Sequence, residues 1–294
     1  MIRIFSHIAF FTVLIFVFPS CKQSPSGNEP VAHPALVADS GMAAGNNFII
    51  LSPSELMFDL QNIRLEKTPD LPEPLDVVPA YLASRKTAIL LGFYVADLAF
   101  LVSQNKKHDA MKYLSSIKKL GDHLKISGIF TEDRLNSFQN NLENTDSLYM
   151  VIVETQYSLV NLLQTSNRND ILIVATWGGI VESLYILTTN INSNEEISAT
   201  NELIENYQFM YTEFYNYCIQ YSDNNLVKAL FADIEQIHTI FSYGSLQKNN
   251  SQILTKQSGN NIYINQPENH QLSLEEITQL RAIVTKLRVK YLNE

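Results

Sequence analysis

Two long apolar stretches of this chain each carry a single acid. In AILLGFYVADLAFLV (88–102) it is Asp97, and in ILIVATWGGIVESLYIL (171–187) it is Glu182. A helix that is apolar on every face is buried. A lone carboxylate there costs several kcal/mol, so each acid must be partnered or neutral. Tyr94 stands three residues before Asp97 and Tyr185 three after Glu182, so each tyrosine shares a helix face with its acid. Glu154, in MVIVETQYSLV (150–160), is a third acid of the same type, and Trp177 belongs to the second stretch. Tyr94, Asp97, Glu154, Trp177, Glu182 and Tyr185 therefore form a candidate set. As structure, it is a buried polar network whose acids accept hydrogen bonds from tyrosines, serines or a neighbouring helix start. As a site, it offers carboxylates to a ligand, a metal or an acid–base reaction.

A second pattern is Glu235-Gln236-Ile237-His238, an E-x-x-H that puts a carboxylate and an imidazole on one helix face. Di-iron helical bundles need two such motifs and two further glutamates, and this chain has one. Glu235 and His238 are thus the metal candidates to follow. No H-E-x-x-H, G-x-S-x-G, P-loop or paired-cysteine motif occurs.

The elements that must position these residues are helices. Ser52-Pro53-Ser54-Glu55 is a capping box with proline at the first helical position, and a helix to about Lys67 follows. TPDLPEPLD (68–76) is a proline-broken connector. Helices are expected over 78–104, 107–125, 131–144, 146–165, 169–190, 196–222, 224–242 and 273–292. Ile277, Leu280, Val284, Leu287 and Tyr291 recur at helical spacing behind a second capping box, Ser273 to Glu276. Tyr207, Tyr211, Phe214, Cys218 and Tyr221 form an aromatic stripe, read as core, with Cys218 as a small buried hydrophobe. Gly92, Gly178 and Gly179 would let neighbouring backbones come close. The polar stretch 245–271 is too long for a plain connector. It is either a small hairpin turning at Gly259-Asn260, between 253–255 and 262–264, or a loose loop. The fold class is all-α, a bundle of packed helical hairpins with about eight or nine helices and with 88–102 and 171–187 at its centre.

Charge narrows the partners. The 294 residues carry a formal charge of −9, and nucleic-acid binding needs clustered cations that an acidic chain without a basic tract lacks. Lys106, Lys107, Lys112, Lys118, Lys119 and Lys125 are dense, but at helical spacing they make one solvated face. No cofactor is implied.

The N-terminus supplies an address. Arg3 precedes an apolar run from Ile8 to Phe18, which is the pattern of a secretory signal and short for a membrane span. It ends Phe18-Pro19-Ser20-Cys21, which resembles the lipobox of bacterial lipoproteins. That resemblance implies cleavage before Cys21, lipidation of its thiol and acylation of the new amino terminus. Cleavage would remove Arg3 and take the formal charge from −9 to −10. Several acyl chains hold a protein on a membrane where one holds only marginally. Lys22-Gln23-Ser24 carries no acidic run of the kind that marks surface-directed Bacteroidota lipoproteins, which implies the periplasmic face of the outer membrane. Residues 21–47, rich in Pro, Ser, Gly, Ala and Asn, read as the lipidated cysteine and a flexible tether. Residues 48–294 read as a single helical domain.

LGFYVADLAFL and WGGIVESLYIL, taken with the lipobox, resemble an all-helical lipoprotein family of Bacteroidota with no established activity. The likeness covers about 85–220 and falls on Gly92, Tyr94, Asp97, Trp177, Gly178, Glu182 and Tyr185. The expectation is a membrane-anchored envelope protein that binds or scaffolds, with an envelope protein or a small ligand as partner. The alternative is an envelope enzyme or a metal-binding bundle using Asp97, Glu154, Glu182, Glu235 and His238.

Overall fold

The computed structural model describes residues 59–61, 67–248, 256–258, 261–263 and 271–294. They belong to one compact unit, 47–294. Cys21, the tether and the Ser52–Glu55 capping box lie outside the described residues. Of the helix expected to run to Lys67, residues 59–61 are described and are helical.

Among the described residues there are eight helices of nine residues or more. They are α1 (Ser84–Ser103), α2 (Lys107–His123), α3 (Glu132–Asn140), α4 (Thr145–Thr165), α5 (Asn169–Thr189), α6 (Asn194–Ile219), α8 (Phe231–Lys248) and α9 (Leu274–Asn293). A single helical turn, α7 (Asn225–Lys228), a 3-10 turn at Ser127–Ile129 and the helical residues 59–61 complete the helical set among the described residues. The fold is an all-α bundle. Side chains fix where helices begin. Ser193 with Glu196 and Ser273 with Glu276 are full capping boxes, and Thr131, Asn144 and Asn224 cap α3, α4 and α7. Asn105, Lys125 and Asn167 follow the ends of α1, α2 and α4 with positive φ, the left-handed conformation that closes a helix.

Several boundaries differ from expectation, most of all at two places. Helix 78–104 starts at Ser84, because Pro79 and a turn at 80–81 hold the preceding chain out of helical geometry. The span 224–242 is split: α7 ends at Lys228 and α8 starts at Phe231. In 245–271 a two-stranded hairpin forms, β1 (Lys256–Ser258) against β2 (Asn261–Tyr263), with Ser258 opposite Asn261. The two strands flank 259–260, and the first lies three residues later than the expected 253–255, which is outside the described residues.

The core is built on α1 and α5, which make the most extensive helix contact in the molecule. Each is long and apolar enough to cross a membrane, yet each is largely buried by its neighbours. Two glycines set how close they come. A β-carbon on Gly92 would overlap the Ala175 carbonyl and the Gly179 nitrogen, and one on Gly178 would overlap the Ile89 carbonyl. A β-carbon on Gly179 would meet the Gly92 carbonyl at an ordinary 3.7 Å. Around this pair, α2 packs on α1, while α9 packs on α5, α8 and α1. Four of the five stripe residues are core as expected, Tyr207, Tyr211, Phe214 and Cys218 being buried, while Tyr221 lies past the end of α6 and is half-buried. Burial also pushes the Cys218 thiol well above its usual range, which makes it unreactive.

The glycine contacts give a graded prediction for the chain 47–294. Gly92→Ala and Gly178→Ala should each cost about 1–3 kcal/mol or more, because a backbone must move to admit the methyl. Gly179→Ala should be neutral or stabilising, since alanine is the better helix former by about 1 kcal/mol. Chemical denaturation of the three variants checks the order, and equal costs at all three positions would contradict the seam.

Candidate functional site

Asp97 and Glu182 meet at the α1–α5 contact, and both are completely enclosed. The Nε of Arg288, from α9, donates to both Glu182 oxygens at 3.0 and 2.8 Å. The same guanidinium donates through Nη2 to the Asp70 carbonyl and lies over the Tyr185 ring, 4.3 Å from its centre. Among the described residues, nothing donates to either Asp97 oxygen when both carboxyls are ionised. The pair is satisfied once Asp97 carries a proton and donates it to Glu182. Burial first, and the neighbouring Glu182 charge second, hold Asp97 well above the ordinary carboxyl range. Burial also pushes Glu182 up, to about 7, against the opposing pull of Arg288. The proton therefore sits on Asp97 and the charge on the acid beside the guanidinium. The unit is neutral overall, which is how a buried ion pair becomes tolerable.

The tyrosines serve another purpose. The chain from Lys67 to Ala83 has neither helix nor strand, and its prolines 69, 72, 74 and 79 lack amide donors. Its carbonyls accept from side chains instead. Tyr94 donates to Glu73 at 2.8 Å, Tyr113 to Pro72 at 2.7 Å, Ser116 to Leu75 at 2.8 Å and His123 Nε2 to Leu82 at 2.9 Å. Asn190 grips the backbone of Lys67 twice, accepting from its nitrogen at 2.7 Å and donating to its carbonyl at 3.0 Å. This strap crosses α1 and α2, and Arg288 ties it to the acid pair. The expectation that Tyr94 and Tyr185 serve the acids is corrected: Tyr94 holds the strap and Tyr185 underlies Arg288.

The other candidates are scattered. Glu154 does not join the acids. It lies on the exposed face of α4, where its backbone carbonyl accepts from Ser158. Trp177 is fully buried and donates to the Tyr291 hydroxyl at 2.8 Å; that hydroxyl donates to Asp233 at 2.5 Å, and Lys290 reaches the same carboxylate oxygen at 2.5 Å. Glu235 accepts from Tyr215 at 2.6 Å, and the His238 ring stacks on the Tyr215 ring at 3.7 Å. Among the described residues no group of three or more His, Cys, Asp or Glu is placed to hold a metal. Lys112 and Lys118 of the lysine-rich face pair at 2.8 Å with Asp109 and Asp122.

Arg288, Asp233 and the strap carbonyls were not anticipated from sequence. Arg288 carried a signal. It lies four residues after Val284 and three before Tyr291, on the α9 face that is otherwise apolar. A cation in that register needs a buried anion.

A separate concavity of about 150 Å³ lies between α1, α2, α3, α4 and α5, open in part to solvent. Leu91, Val95, Leu98, Phe138, Ile152 and Leu159 represent a wall that is almost entirely hydrocarbon. Gly92 and Gly179 of the helix seam contribute to it, and Arg134 borders it. Asp97 and Glu182 are not among its lining residues. The enclosed acids thus hold helices together, and the accessible concavity presents a hydrocarbon wall.

No family model, no curated protein and no solved structure matches this chain.

Two predictions follow from the acid pair. Asp97→Ala or Glu182→Ala should lose about 1–3 kcal/mol or more. Arg288→Met should lose about 3–5 kcal/mol, because it strands a buried anion. Asp97→Asn keeps a donor towards Glu182 and should be the mildest change; a ranking of chemical melts with Arg288→Met as harmless as Asp97→Asn would contradict the pairing. The second prediction concerns pH. Both acids bind protons more tightly folded than unfolded, so their contribution is full in acid and declines as pH climbs from about 4 towards about 7. Asp97→Asn removes one of the two groups and should gain on the wild type over that interval. Parallel stability–pH curves would refute the protonated Asp97.

Proposed function

We propose that this protein is a lipid-anchored cell-envelope protein that acts by binding an apolar group. In this reading residues 1–20 are a lipoprotein signal, Cys21 carries the lipid, and the folded unit faces the periplasm from the outer membrane. The lipobox-like FPSC sequence and the polar tether support the address. One observation carries the binding role: the partly open concavity is walled by hydrocarbon, while the buried acids are enclosed and neutralised by each other and Arg288. A wall of this kind gives a ligand affinity by removing its apolar surface from water, at about 25 cal/mol per Å². The likeness to an all-helical lipoprotein family of Bacteroidota belongs to the same proposal.

Two measurements test it. Cys21→Ala should abolish acylation and leave the precursor uncut; a variant still processed and membrane-bound without detergent would refute the anchor. The wild-type protein, extracted from its own membrane and denatured, should release an apolar compound detectable by mass spectrometry. The Ala175→Leu variant, which fills the cavity, should release less. Equal release from both, or none from either, would refute the binding role.

A further inference from the structure

We infer that the cavity takes the hydrocarbon of a single-chain anionic amphiphile and that Arg134 receives its head group. The inference rests on the binding role proposed above and names the ligand class for that site.

Size comes first. An engineered apolar cavity of about 150 Å³ in another protein stays dry and takes up benzene or xenon, which is room for about six carbon atoms. The cavity here has the same volume, about 150 Å³, so it holds a segment of one chain and not the body of a two-chain lipid. Its partial opening lets the remainder of a longer molecule extend outward. The five helices that wall it supply aliphatic and phenyl groups, which select alkyl or alkenyl carbon over polar chains.

Charge decides the head group. Arg134 lies in the first turn of α3, half-buried at the cavity wall. Its Nη1 donates to the Ile129 carbonyl at 2.9 Å and its Nη2 to the Ser158 hydroxyl at 2.9 Å. These two bonds fix the plane of the guanidinium. A guanidinium has five N–H donors, so three remain. Among the described residues no carboxylate forms an ion pair with Arg134, whereas Arg85 pairs with Glu294 and Arg288 with Glu182. A planar, oriented cation at the edge of a hydrocarbon pocket matches a carboxylate or phosphate monoester joined to an alkyl chain. Neutral hydrocarbon would leave that cation unused, and a zwitterionic head would set a second cation against it.

The test uses three twelve-carbon probes with a photoreactive diazirine near the chain end: dodecanoate, dodecyl phosphate and dodecanol. Each is incubated with the full chain in phosphatidylcholine vesicles, irradiated, and mapped by peptide mass spectrometry. The anionic probes should label 91–99 and 151–160, and unlabelled dodecanoate should compete. Ala175→Leu should cut this labelling about tenfold, by occupying space that the chain needs. Arg134→Gln should weaken both anionic probes about tenfold, the worth of one charge-assisted contact, and leave dodecanol unchanged. Whichever anionic probe labels more strongly identifies the head group, and either result supports the proposal. Labelling undiminished by Ala175→Leu overturns it, as does dodecanol labelling equal to that of the anions. Should dodecanol label as well as the anions while an apolar compound still co-purifies with the protein, the binding role survives and only the ligand class falls. Absence of both would remove the two together.

Discussion

The guanidinium of Arg288 sits where an apolar core has two carboxyls and tolerates one negative charge. It bonds both oxygens of Glu182, and Glu182 accepts a hydrogen bond from protonated Asp97, so one cation suffices for two carboxyls. Each of the three groups comes from a different helix: α1, α5 and α9. Removing Glu182 or Arg288 strands the other's charge in the core, and breaking such a pair is far more damaging than never having had it. The contact between α1 and α5, the placement of α9 and the course of the proline-rich strap all pass through this point.

The strap shows how composition becomes architecture away from helices. Prolines at 69, 72, 74 and 79 keep Lys67–Ala83 from helical pairing and leave its carbonyls open. Open carbonyls in a half-buried segment must find donors. Tyr94, Tyr113, Ser116, His123, Asn190 and Arg288 provide them from α1, α2, α9 and the residue that follows α5. Phenol and imidazole groups that could be taken for site chemistry are thus backbone partners. Meanwhile the accessible concavity lies among α1 to α5, where the wall is hydrocarbon.

Much of this was legible from sequence because burial has a period. The stripes on α6 and α9, the capping box at Ser273 and the central place of 88–102 and 171–187 all follow from local spacing. Close approach at Gly92 and Gly178 was legible too, since a glycine inside an apolar helix usually needs a packing reason. Partners distant in the chain were not. Asp97 and Glu182 each need company by their burial alone, but the tyrosine on the same helix face is the donor that local spacing offers first. Glu154 was misplaced for a related reason: its local sequence is as apolar as theirs, yet α4 leaves one face to solvent. Which face is covered depends on α3 and α5, and no window around Glu154 contains that.

The order of synthesis gives the ion pair a further meaning. Arg288 follows Glu182 by 106 residues. Whether it emerges from a ribosome or across a membrane, a chain that appears from its N-terminal side presents Glu182 before its counter-ion. Through that interval the α1–α5 pair can form only with both acids protonated or with water still present between the helices. The charge balance of the α1–α5 contact is therefore completed only by α9, the last helix of the described residues.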